Sequence, residues 1–436
     1  MLSPVLFRAR EYLKGSLWIY PLLGAILGPL VAWGTKQADA SLTVPSAWQY
    51  TPSTASTVLT TIVGATVGLT GFVVTVTVLA IQMATGTFSA RYMRIWYRDP
   101  LLKASLSVLV GTLAFSFSLL RQVGTSKVPN IGTSAAGFLL VFSLVLFLLF
   151  FDRFIHRLRP VAVAALVAKL AKRTIETVIP KAEIGDSSGL TVHGEPVLTV
   201  SSRRAGAIQV VNVDGLVGWA SSRNCAVVMH AAIGDFVISG QHLLTVYGPS
   251  RLPVGADRRL QRMVALGVER TIEDDPAFAV RIIVDIAVKA LSAAINDPTT
   301  AVQALDHLED VLRLLGSQRL NGELIFSDRG RITRLSMRGR TWDDYLALGV
   351  TEIREYGAST IQVTRRLRAI LEGLKDSVLP EHRGAVLAEI TRLDATVAVG
   401  FSGSTDKGLA EIADRQGIGG PCRVAVSHTP LTPGRT

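Results

Sequence analysis

Four long apolar runs separated by short polar segments dominate the first third of the chain. Leu17–Thr35 holds no charged residue over 19 positions, Ser56–Met83 none over 28, Leu101–Leu120 only Lys103 near its start, and Thr133–Phe151 none. About 20 apolar residues cross the hydrocarbon core of a bilayer, so the pattern predicts four transmembrane helices in a membrane domain over 1–160. Pro21 and Pro29 should bend the first. Pro29 and the absence of a small-residue cleavage pattern also argue against a removable signal peptide. The second run is longer than a perpendicular crossing needs, so it must tilt or project beyond the bilayer.

Beyond Asp152 the periodicity changes. Val161–Val178 reads as a connecting helix within 161–185. From Leu190 to Val246 short runs rich in β-branched residues, bounded by Gly, Asp and Ser, predict the strands of a small β-barrel-like domain over 186–250. Gly234–Tyr247, GDFVISGQHLLTVY, resembles the closing hairpin of barrel-sandwich folds of the biotinyl and lipoyl type. Their function does not carry over, because those domains modify a lysine and none lies between Lys181 and Lys289. A helical domain is expected over 251–400, with a break at Leu379-Pro380, and then a flexible tail over 401–436 rich in Gly, Ser, Thr and Pro. The expected fold is therefore an α-helical integral membrane domain with four transmembrane helices, followed by a cytoplasmic α+β domain with a small β-barrel and a helical region.

In the helical region LSAAINDPTTAV places five polar or turn-forming residues between apolar runs. Asp275-Pro276 and Asp297-Pro298 each open an amphipathic stretch, and Asp as N-cap with Pro at the first helical position is a strong start signal. Asn296 can then end one helix in a left-handed conformation while Thr299 and Thr300 fall in the first turn of the next. The insert is read first as a corner. The alternative is a phosphate or other anion held at the exposed helix start beside Arg270 or Lys289. Arg281, Asp285 and Lys289, four apart, form a charge ladder along one helix face.

Composition supports the membrane reading: 49% of the 436 residues are hydrophobic, 18% are charged, and mean hydropathy is +0.37. The 45 Lys and Arg exceed the 34 Asp and Glu. Basic residues beside membrane spans explain that excess better than nucleic acid does. Arg8, Arg10 and Lys14, then Arg91, Arg94, Arg98 and Lys103, then Arg153, Arg157 and Arg159 mark cytoplasmic segments, which puts both termini inside the cell. Cys225 and Cys422 have no disulfide-like or metal-like spacing. A reducing compartment fits them.

The second run differs from the others in being rich in Gly and Thr. Thr60, Gly64, Gly68, Thr75 and Gln82 are candidate pore-lining residues if copies of this helix surround an axis. The alternative is close helix packing through small residues four apart. Thr85–Lys103 mixes Phe88, Tyr92, Trp96 and Tyr97 with Arg91, Arg94 and Arg98, as expected of an amphipathic segment at the headgroup level. Arg91, Arg94, Trp96 and Arg98 are the membrane-interface candidates. Glu273-Asp274-Asp275 could hold a cation, although its place before a helix favours capping. The chain carries no P-loop, no G-x-G-x-x-G after a strand, no H-E-x-x-H and no G-x-S-x-G, and its histidines show no close ligand pairing. No enzyme activity, cofactor or metal is expected.

Three stretches carry a resemblance: QMATGTFSARYMRIWYRDPLLKASLSVLVGTLAFSFSLLR, RTIEDDPAFAVRIIVDIAVKALSAAINDPTTAVQALDHL and RTWDDYLALGVTEIREYGASTIQVTRRL. They resemble the bacterial predicted membrane proteins grouped as domain of unknown function 2254. The match is most specific at A-L-S-x-x-I-N-D-P-T-T-A, carried by Leu291, Ser292, Ile295, Asn296, Asp297, Pro298, Thr299, Thr300 and Ala301. Phe88-Ser89-Ala90-Arg91 departs from the Ser-Pro-Arg of many relatives. The resemblance implies four spans, a cytoplasmic domain and a bacterial inner (plasma) membrane. It implies no activity and no site residues.

Two function classes follow. One is a homo-oligomeric pore or conduit with a cytoplasmic vestibule. The other is a membrane-anchored sensor or scaffold whose cytoplasmic domain binds a partner or small anion around Arg270, Lys289, Asn296, Thr299 and Thr300. In both, the lipid bilayer is the expected partner and the ligand is unknown.

Overall fold

A computed structural model describes residues 13, 15–41, 45, 49–87, 99–124, 128–157, 159–179, 195–248 and 252–420. The chain divides into two compact units, one of 1–163, 193–228 and 235–269 and the other of 164–192, 229–234 and 270–436.

The first unit begins with four helices: α1 (Ile19–Ser41), α2 (Pro52–Thr87), α3 (Pro100–Leu120) and α4 (Asn130–Arg157). Three of them are long and apolar enough to cross a membrane, over Pro52–Leu79, Pro100–Leu120 and Asn130–His156. α1 is 23 residues long but contains Pro29, and Lys36 and Asp39 follow in its last turns. It is not among those three.

Two apolar clusters join these helices, one around Ala32, Leu59, Phe115, Leu119 and Ala136, the other around Val73, Leu102, Leu109, Phe147 and Phe150. α1 and α3 approach through glycines. A Cβ at Gly24 would lie 2.2 Å from the Ser107 carbonyl oxygen, and one at Gly28 would lie 2.6 Å from that of Gly111. Without a hydrophobic drive between helices in lipid, such close backbone approach is what gains packing. Helix starts are closed by side chains: Asp99 accepts from the Leu101 N–H at 2.8 Å, Asp39 from the Ile131 N–H at 2.9 Å, and Thr51 from the Thr54 N–H at 3.2 Å, while Asn130 holds the Tyr50 N–H just before α2 at 2.8 Å.

The rest of this unit is α+β, with β1 (Pro196–Ser201), β2 (Gly206–Val211), α6 (Val213–Ser221), β3 (Ala226–Met229), β4 (Phe236–Val237), β5 (His242–Tyr247), α7 (Ala256–Gln261) and β6 (Val264–Gly267); α5 (Pro160–Val178) precedes it in sequence. β5 lies between β1 and β3, and β2 lies between β4 and β6, antiparallel to both. Among the described residues no sheet closes into a barrel, which corrects the expected barrel-like domain. The two strands of GDFVISGQHLLTVY do not pair with each other, since β4 pairs with β2 and β5 with β1. The reading of strands also missed α6. Asn212 caps it by accepting the Gly215 N–H at 3.0 Å, and Val213, Leu216, Trp219 and Ala220 are buried at helical spacing.

The second unit packs α8 (Pro276–Ala290), α9 (Pro298–Gly316), α10 (Trp342–Tyr356), α11 (Ile361–Ser377) and α12 (Arg383–Gly400), with a short α13 (Lys407–Ala410) and an antiparallel hairpin of β7 (Asn321–Ser327) and β8 (Thr333–Thr341). The hairpin lies inside the stretch expected to be helical. Arg281 of the charge ladder bonds both Asp285, at 2.6 Å, and Glu352 of α10, so this part of the ladder joins two helices. Arg365 is fully buried and donates to the carbonyls of Ile412, Gly419 and Gly420, holding the segment after α12. Trp342, also buried, stacks on His382 with ring centroids 5.4 Å apart.

Replacing Gly24 or Gly28 by Val should lower the stability of the purified protein by about 1–3 kcal/mol, the usual cost of overpacking a filled interface. Thermal denaturation in detergent should show a lower melting temperature for both, and no lowering for Gly137→Ala, where a Cβ meets nothing within 4 Å.

Candidate functional site

Two places gather the chemistry. The first is the outward face of α2. Its inward face is apolar, with Ala55, Leu59, Ile62 and Val73 buried and one buried hydroxyl, Thr66. The candidates Thr60, Gly64, Gly68, Thr75 and Gln82 are all exposed. At 100° per residue they fall within one arc of about 80°, a single stripe. A Cβ built at Gly64, Gly68 or Gly71 has no neighbour within 4 Å. Three threonine hydroxyls on or beside the stripe bond back to their own helix: Thr57 donates to the Ser53 carbonyl at 2.9 Å, Thr61 to that of Thr57 at 2.8 Å and Thr75 to that of Gly71 at 2.9 Å. Such hydroxyls are satisfied without water and still offer an oxygen to a neighbour. The interface candidates Arg91, Arg94, Trp96 and Arg98 lie outside the described residues.

The corner between α8 and α9 is built as the residue types require. Asn296 has φ of 48°. The Asp297 N–H donates to the Ala290 carbonyl at 2.8 Å, and its carboxylate accepts the Thr300 N–H at 3.0 Å and the Thr300 hydroxyl at 2.5 Å. Thr300 is therefore engaged in capping, and Thr299 is exposed. Lys289 stands one turn before this corner. Arg270 acts at the other end of α8, on Asp275. The 15-residue helix between those ends is about 22 Å long at 1.5 Å per residue. The structure does not bring Arg270 together with Lys289, Asn296, Thr299 and Thr300.

The second place is that other end of α8, inside the second unit. A pocket of about 50 Å³ is lined by Asp274, Asp275, Arg338, Arg340 and Tyr345, with Val178, Ile233, Leu320, Leu324 and Met337 among its apolar walls. Asp275 is 3% exposed. One of its oxygens caps α8, accepting the Phe278 N–H at 3.1 Å. The other, Oδ2, is buried with no hydrogen-bond partner among the described residues. Gly234, at φ of 91°, presses against it: a Cβ there would lie 2.2 Å from Oδ2.

Burial pushes the Asp275 carboxyl above its ordinary value, and the Phe278 N–H and the charges of Arg270 and Arg340 oppose the rise. Burial, and then the negative charge of Asp275, push the Tyr345 phenol up. The loop before Asp275 is held by Thr174, whose hydroxyl donates to the carbonyl of Ile272 at 3.1 Å. Sequence reasoning identified Asp275 as a cap, and the structure agrees. It missed the pocket, because Arg340 and Tyr345 reach the site from β8 and α10 and no local motif joins them to α8. Among the described residues no three His, Cys, Asp or Glu side chains are placed to hold a metal ion.

The bundle of long apolar helices followed by an α+β region defines a membrane protein. The chain belongs to the family described as predicted membrane protein DUF2254, whose model matches residues 14–373. Curated relatives from two strains of Mycobacterium tuberculosis and from Mycobacterium bovis, each described as an uncharacterized protein, are 27% identical over 444 residues, covering 94% of this chain and 83% of theirs. No solved structure matches the chain.

Asp275 gives a pH test whose sign is fixed. Its folded-state value lies above the ordinary 3.8, so the folded chain binds more protons and stability falls as pH rises through that value. Asn caps a helix as well as Asp does. The Asp275→Asn variant should therefore melt at a higher temperature than wild type at neutral pH, and the difference should shrink as pH falls towards 4. Paired melting curves across pH read it directly.

Proposed function

We propose that the protein is a homo-oligomeric membrane conduit in which α2 helices from several copies face one another through the Thr60–Gln82 stripe. The observation that carries this reading is the open space at Gly64, Gly68 and Gly71 on a helix long and apolar enough to span a bilayer. Glycine costs stability in a helix relative to alanine. Three of them on an exposed face are accounted for by a neighbouring backbone from outside the chain. Lipid tails gain nothing from such a groove, whereas a second helix can enter it closely.

In this reading α1 makes a fourth crossing. Leu23, Ile26, Leu27, Leu30 and Trp33 are each about half or more exposed on it, which suits lipid. With the arginine distribution along the chain, four crossings leave both termini and the α+β region on the cytoplasmic side of a bacterial inner membrane. The bilayer is the partner, nucleic acid has no part, and no catalytic step is assigned.

Mass photometry of the purified chain in lipid nanodiscs tests the assembly, and flux from reconstituted vesicles tests the conduit. An oligomer large enough to enclose an axis and a conductance abolished by Gly68→Leu or Thr75→Phe are expected. A monomer or dimer, or vesicles that pass no ion under any voltage, tension or pH, would refute it.

A second reading rests on the Asp275 pocket: the spans anchor a sensor whose second unit takes a small polar ligand between Asp275, Arg340 and Tyr345. It predicts that a small-molecule screen by thermal shift finds a compound stabilising wild type and not Arg340→Met. A screen without any such compound counts against it.

A further inference from the structure

One end of the β4-β2-β6 sheet exposes an unusual set of side chains. Because β2 is antiparallel to both neighbours, its start lies beside the ends of β4 and β6: Gly206 stands opposite Val237, and Ala207 opposite both Phe236 and Gly267. Residues at these three strand ends form one rim. On it Phe236 and Ile238 are each 61% exposed and Val268 is 93% exposed.

Arginines stand among them. Arg203 and Arg204 lead into β2. The Arg203 carbonyl accepts from the Ser239 hydroxyl at 3.3 Å, and the Arg204 guanidinium donates to the Leu266 carbonyl at 2.6 Å, so both are tied to the rim. α7 is joined to it by the Arg203–Asp257 pair at 3.2 Å and by Gln261, whose amide donates to the Ser201 carbonyl at 2.7 Å. That helix brings Arg258 and Arg259, both exposed. The acids at hand are Asp235, Asp257 and Glu269, fewer than the four arginines, and Asp257 is already paired.

We infer that this rim rests on the anionic headgroups of the bilayer that the chain's own helices cross, with Phe236, Ile238 and Val268 entering the headgroup boundary and the surplus arginines meeting lipid phosphates. Apolar tips on strand ends flanked by arginine are the arrangement that binds a membrane surface, the apolar part by burial and the basic part by attraction to anionic lipid. A polar protein partner would leave the three apolar side chains without a reason, and a purely apolar partner would leave the arginines unpaired. The rim belongs to the same compact unit as the membrane helices. The inference stands whether or not the conduit reading does, since it needs neither an oligomer nor a pore.

The test places an environment-sensitive fluorophore at Ile238→Cys in the full-length chain, with Cys225 and Cys422 changed to Ser. The control is a fluorophore at Val399→Cys, a position 77% exposed on α12 in the other unit. The protein is reconstituted into vesicles of phosphatidylcholine alone or mixed with phosphatidylglycerol, each with and without nitroxide-labelled lipid. Expected is a blue-shifted emission and a several-fold quenching at position 238 in the anionic vesicles, weaker quenching in phosphatidylcholine alone, and none at position 399. Changing Arg258 and Arg259 together to Glu should abolish the quenching at 238 without moving the melting temperature, since these side chains are exposed. Emission at 238 that stays water-like in both lipids would overturn the inference. So would a shifted emission that persists in neutral detergent together with cross-linking of position 238 between copies, which would assign the rim to a second chain.

Discussion

The start of a helix leaves backbone N–H groups without partners, and the way this chain meets that requirement positions nearly everything else. The same pair of residues does it three times. At Asp99-Pro100, Asp275-Pro276 and Asp297-Pro298, proline occupies the first helical position, where its missing N–H is no loss, and the aspartate accepts an N–H two or three residues on. In the first unit Asp39 serves the start of α4 from the end of α1, the Thr51 hydroxyl accepts the Thr54 N–H at the start of α2, and Asn130 holds the Tyr50 N–H just before it. Charged and amide groups at the ends of apolar helices are thus part of the packing of the first unit.

Much of this was legible in the sequence, since caps and apolar runs are local signals. The corner at Asn296 and Asp297 could be built from residue types alone, and the three strongest membrane helices from length and charge. What was not legible depended on partners distant in sequence. α6 was hidden because Val213, Leu216 and Trp219 sit in a short β-branched stretch whose helical period is visible only once Asn212 is recognised as a cap. Open sheets were mistaken for a barrel because the strands of Gly234–Tyr247 separate to different neighbours, a choice made by tertiary pairing. The Asp275 pocket is assembled from β8, α10 and the end of α5, and nothing in the acidic triplet announces an arginine and a tyrosine from elsewhere. The ladder at Arg281 could be placed on one helix face, but its second partner, Glu352, lies on another helix and no local signal shows it.

The glycines of the first unit's helices illustrate how one residue type serves opposite circumstances. Gly24 and Gly28 are filled sites, where the backbone of α3 occupies the volume a side chain would take. Gly64, Gly68 and Gly71 face nothing within the chain. Both sets satisfy the same sequence pattern of small residues one turn apart, so spacing alone cannot separate an internal seam from an external one. The structure separates glycines packed against a neighbouring helix of the chain from glycines with nothing within 4 Å.

Asp275 presents a different argument. Its role as a cap uses one oxygen and would be served as well by asparagine. The charge is an added burden at a site 3% exposed, with the second oxygen unpartnered and glycine required at position 234 to make room for it. Arg270 and Arg340 offset part of that burden, yet two arginines near one carboxylate leave positive charge at the pocket in turn. Folding therefore accounts for the side chain's shape and not for a carboxyl in place of an amide. A buried carboxyl whose proton affinity is raised and whose free oxygen lies at a small pocket beside arginine and tyrosine is where a functional constraint, in place of a structural one, would leave its mark.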